Sequence, residues 1–163
     1  MSRRILLVNH TASISGAERS LLDLLRGLPA DVAATVACPP GPLATEVAAL
    51  GVPVVALRGT DAGLKLHPTG TPRAVWSLLA DGLTVGRTAR RLGAGVMHAN
   101  STRAALACAV ACWARGPALA AHVHDVVGED RLSKAVRRVI CATADVVLAN
   151  SRYVAAGLRD CGP

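Results

Sequence analysis

Polar residues able to do chemistry stand at four points in this chain, each just after a short apolar run. Asn9 and His10 follow Ile5–Val8, and His98, Asn100 and Ser101 follow Val96 and Met97. His124 and Asp125 follow Leu119–Val123, and Asn150 and Ser151 follow Val146–Leu148. Such amides, hydroxyls and carboxylates can orient a polar ligand, and imidazoles can move protons near neutral pH. The first of these loops runs on through Ser15-Gly16 into a leucine-rich segment. A glycine at the mouth of a helix lets an anion approach unpaired backbone N–H groups and the positive end of the helix dipole. The same residues spell a capping box, Ser15-x-x-Glu18, which needs no ligand. Both roles fit the spacing. Ser101 and Ser151 can likewise be helix N-caps, and Asn150 carries the same ambiguity.

The elements that must position these residues can be read from the apolar pattern. Ile5–Val8, Val32–Ala37, Val52–Leu57, Val96–Met97, Leu119–Val123 and Val146–Leu148 are expected strands, and their continuous apolar character fits a sheet covered on both faces. Helical spacing appears at Leu21, Leu22, Leu24, Leu25 and Leu28, in GPLATEVAALG, from Thr71-Pro72 onward, and at about 102–114, 132–142 and 152–160. This alternation predicts a single α/β domain, a Rossmann-like doubly wound parallel sheet with right-handed crossovers and helices on both faces. In such sheets ligands bind beyond the carboxyl ends of the strands, where strand order reverses. The polar residues named above all fall on that edge. Residues 58–70, RGTDAGLKLHPTG, are the least regular stretch and are expected to be a mobile loop.

Composition narrows the class. The chain has 163 residues, 52% hydrophobic and 18% charged, which suits a folded core and argues against disorder. Phe is absent, so that core must be built from small aliphatic side chains. The net charge of +7 is almost wholly arginine and fits anionic partners. Nucleic acid is a poor candidate, because only Trp76, Trp113 and Tyr153 could stack on bases. Five cysteines without a Cys-x-x-Cys pair read as buried thiols in a reducing compartment, not as a metal site. No cofactor or metal is expected. The basic start precedes an apolar run too short for a signal peptide, and Ala104–Ala114 is too short to span a bilayer. The expected location is cytoplasmic, with a peripheral place at the inner face of the membrane open to the basic helix carrying Arg131, Lys134, Arg137 and Arg138.

Known doubly wound families differ in their first loop. A dinucleotide site wants Gly-x-Gly-x-x-Gly there, and a P-loop needs Gly-Lys-Ser/Thr; neither occurs. What does occur is SGAERSLLDLLRGL after the first strand, VMHANSTRAAL at the fourth, HVHDVVG at the fifth and ADVVLANSRYVAAGL at the sixth. In order and spacing these resemble the N-terminal, acceptor-side domain of the two-domain GT-B retaining glycosyltransferases of family 4. One departure is Ser15-Gly16 where the family usually has Gly-Gly.

The resemblance implies the acceptor-binding half of an enzyme that moves a sugar from a nucleotide-sugar donor to a sugar or lipid-linked acceptor. It implies that Ser15 and Gly16 face the donor diphosphate and that His124 stands beside the transferred sugar as the catalytic residue. His10, His98, Asn100, Ser101, Asp125, Asn150 and Ser151 would border the acceptor and sugar site, with further acceptor contacts in the 58–70 loop. The family's C-terminal nucleotide-sugar domain is not represented in residues 1–163, so this chain is expected to need that domain, in cis or in trans, and to be inactive alone. Two alternatives stay open on the residues themselves. One is a non-catalytic Rossmann-like binding or scaffold domain. The other is a flavodoxin-like mononucleotide domain using Thr11, Ser13 and Ser15.

Overall fold

A computed structural model describes residues 3–59, 71–112, 116–125, 128 and 130–158. Within these residues six strands alternate with six helices: β1 (Arg3–Val8), α1 (Gly16–Arg26), β2 (Val32–Cys38), α2 (Pro42–Ala49), β3 (Val54–Ala56) and α3 (Thr71–Leu92) form the first half. β4 (Val96–Ala99), α4 (Thr102–Cys112), β5 (Ala118–Val123), α5 (Arg131–Thr143), β6 (Val146–Ala149) and α6 (Arg152–Ala156) form the second. All strands pair in parallel, in the order β3-β2-β1-β4-β5-β6. The expected α/β class and doubly wound sheet are therefore what the chain adopts. Most of the 58–70 loop, residues 60–70, lies outside the described residues, as do Trp113 and Cys161.

Strand alternation divides the core in two. Leu6, Val8, Met97, Ala99, Leu119 and Ala121 face one side, packed with Val85 and Ala89 of α3, Ala104, Ala105 and Cys108 of α4, and Val136 and Ile140 of α5. Leu7, Val36 and Cys38 face the other, against Leu21, Leu22 and Leu25 of α1 and Leu43 and Val47 of α2. Among the described residues the second face is covered only over β1–β3. On β6 its residues stay open: Val146 is 53% exposed and Leu148 41%. The small-residue composition shows at the contact of α3 with α4, where Gly82 sits against Val110 and Ala107. Cys38 and Cys108 are buried thiols, and burial pushes both above the usual thiol range, Cys38 to about 11.

One sequence expectation is corrected. Arg137 does not belong to the exposed basic side of α5. It is buried at 4% exposure on the inward side, with Ser133, Val136 and Ile140. Ser133 and Arg137 are four residues apart and so share a face, which the inward-facing Val136 and Ile140 fix. Arg131, Lys134 and Arg138 are exposed. No helix among the described residues is long and apolar enough to cross a membrane.

Candidate functional site

Strand order reverses between β1 and β4, and an open cavity of about 300 Å³ lies at the carboxyl ends of the strands there. It is lined by His10, Ser15, Ser101, His124 and Asp125, and by Thr11, Ser13, Ala17, Glu18 and Arg103. Five of the site residues implied by the sequence resemblance thus meet in one place, together with Thr11, Ser13 and Glu18, which the sequence also singled out. Each is there for a local reason. His10 follows the end of β1, whose last ladder bond runs from Asn9 N–H to Ala37 O. Ser101 caps α4, its hydroxyl accepting from Ala104 N–H at 3.1 Å, and its oxygen lies 2.8 Å from His10 Nδ1. His124 and Asp125 follow directly on β5.

The wall behind this cavity is polar and almost fully buried. Asn9, Glu18 and Asn100 are 0%, 2% and 1% exposed. The capping box spelled by Ser15 and Glu18 is formed, and Glu18 Oε2 accepts from Ser15 N–H at 3.0 Å and from the Ser15 hydroxyl. Glu18 Oε1 accepts from Asn9 Nδ2 at 3.2 Å. Burial pushes the Glu18 carboxyl up, but the hydrogen bonds from Ser15 and Asn9 outweigh it and hold it below the ordinary carboxylate value. Asn100 Nδ2 donates to Asn9 Oδ1 and to Ala17 O, both at 3.1 Å, while Asn100 Oδ1 lies 3.3 Å from His124 Nε2. One carboxylate and two amides therefore join the ends of β1, α1, β4 and β5.

The remaining sequence-derived residues fall outside the cavity lining. Gly16 opens α1 beside Ser15, and a Cβ built on it would meet nothing within 4 Å. Asn100 belongs to the buried wall behind the cavity and not to its lining. Asn150 Nδ2 donates to His124 O at 3.0 Å and so holds the backbone of that residue. Ser151 caps α6, accepting from Val154 N–H at 3.2 Å. His98 lies within β4, where alternation turns it onto the second sheet face beside His122. Their ring centroids are 5.7 Å apart, and those of His122 and His124 are 3.9 Å apart. His98 Nε2 is buried without a hydrogen-bond partner among the described residues. Burial, helped by repulsion from His122 and His124, pushes the His98 pKa down to about 4. Burial also lowers His124, opposed by the charges of Asp125 and Glu18.

Sequence reasoning missed Arg103 in the cavity lining and the joint role of Asn9, Glu18 and Asn100 behind it. Arg103 follows the helix start marked by Ser101, which was a usable signal. Among the described residues no cluster of three or more His, Cys, Asp or Glu could hold a metal.

The sequence pattern of Glycosyltransferase Family 4 matches residues 14–163. This chain belongs to glycosyltransferase family 4. The match sets the flavodoxin-like alternative aside. Among solved structures, the family 4 chain is similar to HepE from Anabaena in complex with UDP and glucose, at 23% identity and a TM-score of 0.70. That alignment covers 97% of this chain and 41% of HepE. It is also similar to a sucrose-phosphate synthase from Thermosynechococcus elongatus, at 15% identity and a TM-score of 0.64, covering 96% and 81%. The apo lipopolysaccharide outer core galactosyltransferase WaaB aligns at 8% identity and a TM-score of 0.68, covering 99% and 43%. Identities this low carry the fold: the N-terminal half of the GT-B architecture. The family 4 chain spans about two fifths of the length of HepE and WaaB. No curated protein matches it.

Proposed function

We propose that this chain is the acceptor-side half of a retaining glycosyltransferase that moves a sugar from a nucleotide-sugar donor to a sugar or lipid-linked acceptor. The observation that carries the reading is the cavity at the strand-order reversal of a family 4 chain, where imidazole, hydroxyl, guanidinium and carboxylate groups meet the mouth of α1. The UDP and UDP-glucose held by HepE support a nucleotide-sugar donor. A donor half, in cis or in trans, would complete the cleft.

In this reading the donor diphosphate faces Ser15 and Gly16, where unpaired N–H groups and the α1 dipole favour negative charge. That charge grows as the diphosphate leaves, so the same groups stabilise the transition state more than the bound donor. Gly16 contributes by what it lacks, since a side chain there would stand between backbone and phosphate. His124 adjoins the transferred sugar, and His10, Ser101 and Asp125 bind hydroxyl groups. Asn100 and Asn150 hold His124, and Ser151 holds α6.

The test is a Gly16→Val variant of the chain joined to or mixed with a family 4 donor half. Its position is open, so unfolding free energy should change by less than about 0.5 kcal/mol. The kcat/KM for sugar transfer should fall by about 100-fold or more. Unchanged kinetics would remove Gly16 from the donor site. The anomeric configuration of the product, read by NMR, decides retention, and transfer by residues 1–163 alone would overturn the need for a donor half.

A further inference from the structure

The side-chain amides behind the cavity can each be oriented without ambiguity. Asn9 Nδ2 donates to Thr11 O at 2.9 Å as well as to Glu18, and Asn100 Nδ2 donates to Ala17 O as well as to Asn9. A backbone carbonyl only accepts, so Thr11 O and Ala17 O each fix which end of the amide is nitrogen. Asn100 Oδ1 is then the atom facing His124, and an amide oxygen cannot donate. The hydrogen between them belongs to His124 Nε2. Three donations run in one direction: His124 Nε2 to Asn100 Oδ1, Asn100 Nδ2 to Asn9 Oδ1, and Asn9 Nδ2 to the Glu18 carboxylate.

We propose that Glu18, acting through Asn9 and Asn100, is a positioning residue that locks His124 in the Nε2–H tautomer, so that the neutral ring offers Nδ1 to the cavity as a hydrogen-bond acceptor. The opposite tautomer would set an imidazole lone pair against the Asn100 oxygen and leave that buried oxygen unpaired, a disfavour of about tenfold or more. Aligned amide dipoles ending on a buried carboxylate strengthen each acceptor along the row. The consequence for ligand choice rests on the transferase reading: neutral His124 receives a hydrogen bond from a sugar hydroxyl, and it donates one through Nδ1 only when protonated. The titratable and charged groups around it are His122 with its ring tilted against that of His124, His98 beyond it, Asp125 next in the chain, Glu18 behind the asparagines, and His10 and Arg103 in the cavity lining.

Imidazole 15N NMR on the 163-residue chain tests this directly. Wild-type His124 should show the Nε2–H tautomer in about tenfold excess, with an exchange-protected Nε2 proton. Asn100→Ala should mix the tautomers and expose that proton. Glu18→Gln should lower the His124 pKa in the wild-type background, and by less than half as much once Asn100 is Ala. An Nδ1–H tautomer in the wild type would overturn the proposal, whatever the variants do. So would equal effects of Glu18→Gln with and without Asn100, which would mean a direct field and no relay. These readouts need no turnover. An inactive reconstituted enzyme with the predicted tautomer would sink the transferase reading and leave the relay standing.

Discussion

At the residue scale, His98 makes a claim independent of function. Its folded pKa of about 4 lies below its ordinary 6.5, because burial and two neighbouring imidazoles disfavour the charged ring. Between those two values the unfolded chain binds more protons than the folded one, so the neutral ring's contribution is complete above pH 6.5 and is lost as pH falls toward 4. Urea denaturation across pH 4–8 should show that loss, on the order of 2–3 kcal/mol. His98→Leu should flatten this part of the curve, and an unaltered slope would reject the assignment. Histidine at a strand's polar end looked from its type like a ligand-binding residue. Its parity within β4 instead turns it onto the sheet face, and parity depends on a strand boundary that lies two residues later than the apolar run Val96-Met97 suggests.

At the element scale, α3 and α4 approach closely because two glycines of α3 face α4. A Cβ on Gly82 would come within 2.7 Å of Val110 Cβ and 2.9 Å of Ala107 O, and one on Gly86 within 3.3 Å of Ala111 Cβ. In a roomy helix Gly→Ala gains about 1 kcal/mol. Here Gly82→Ala should lose about 1–3 kcal/mol by overpacking, while Gly86→Ala stays near neutral. Thermal unfolding of the two variants compares them, and a stabilised Gly82→Ala would show that α4 yields easily. The elements themselves were largely legible: all six strands fall on the apolar runs and each helix on its periodic segment, with ends shifted by a few residues. The polar network was not. Glu18 reads as a cap by spacing alone, and nothing local says that its second oxygen meets Asn9 in a buried wall. Asn9 and Asn100 bond across 91 residues of chain, and only the pairing of β1 with β4 brings them together. Helical periodicity likewise left Arg137 on the wrong side of α5.

At the scale of the whole molecule, the two sides of the sheet differ in cover, and the same strands should respond differently on each. Leu119 in β5 is 1% exposed on the face carrying α3, α4 and α5, whereas Leu148 in neighbouring β6 is 41% exposed on the other. Leu119→Ala should cost about 2–5 kcal/mol and Leu148→Thr less than about 1. A large loss at Leu148 in chemical denaturation would mean that the open face is packed in solution. The strand order has a kinetic consequence as well. β1 pairs with β2 across about 29 residues but with β4 across 91, as in Ile5 with Val96. Loop closure makes such distant pairings slow. The seam between β1 and β4 should therefore be the late event in refolding, after β1–β3 and β4–β6 have each begun to form. Asn9–Asn100 and His10–Ser101 both bridge that seam. Pulse-labelled hydrogen exchange should find the Asn100 amide, which donates to Val8 O, protected later than the amides joining β1 to β2. The pocket would then be the last part of the domain to exist, and its appearance would mark the completed fold.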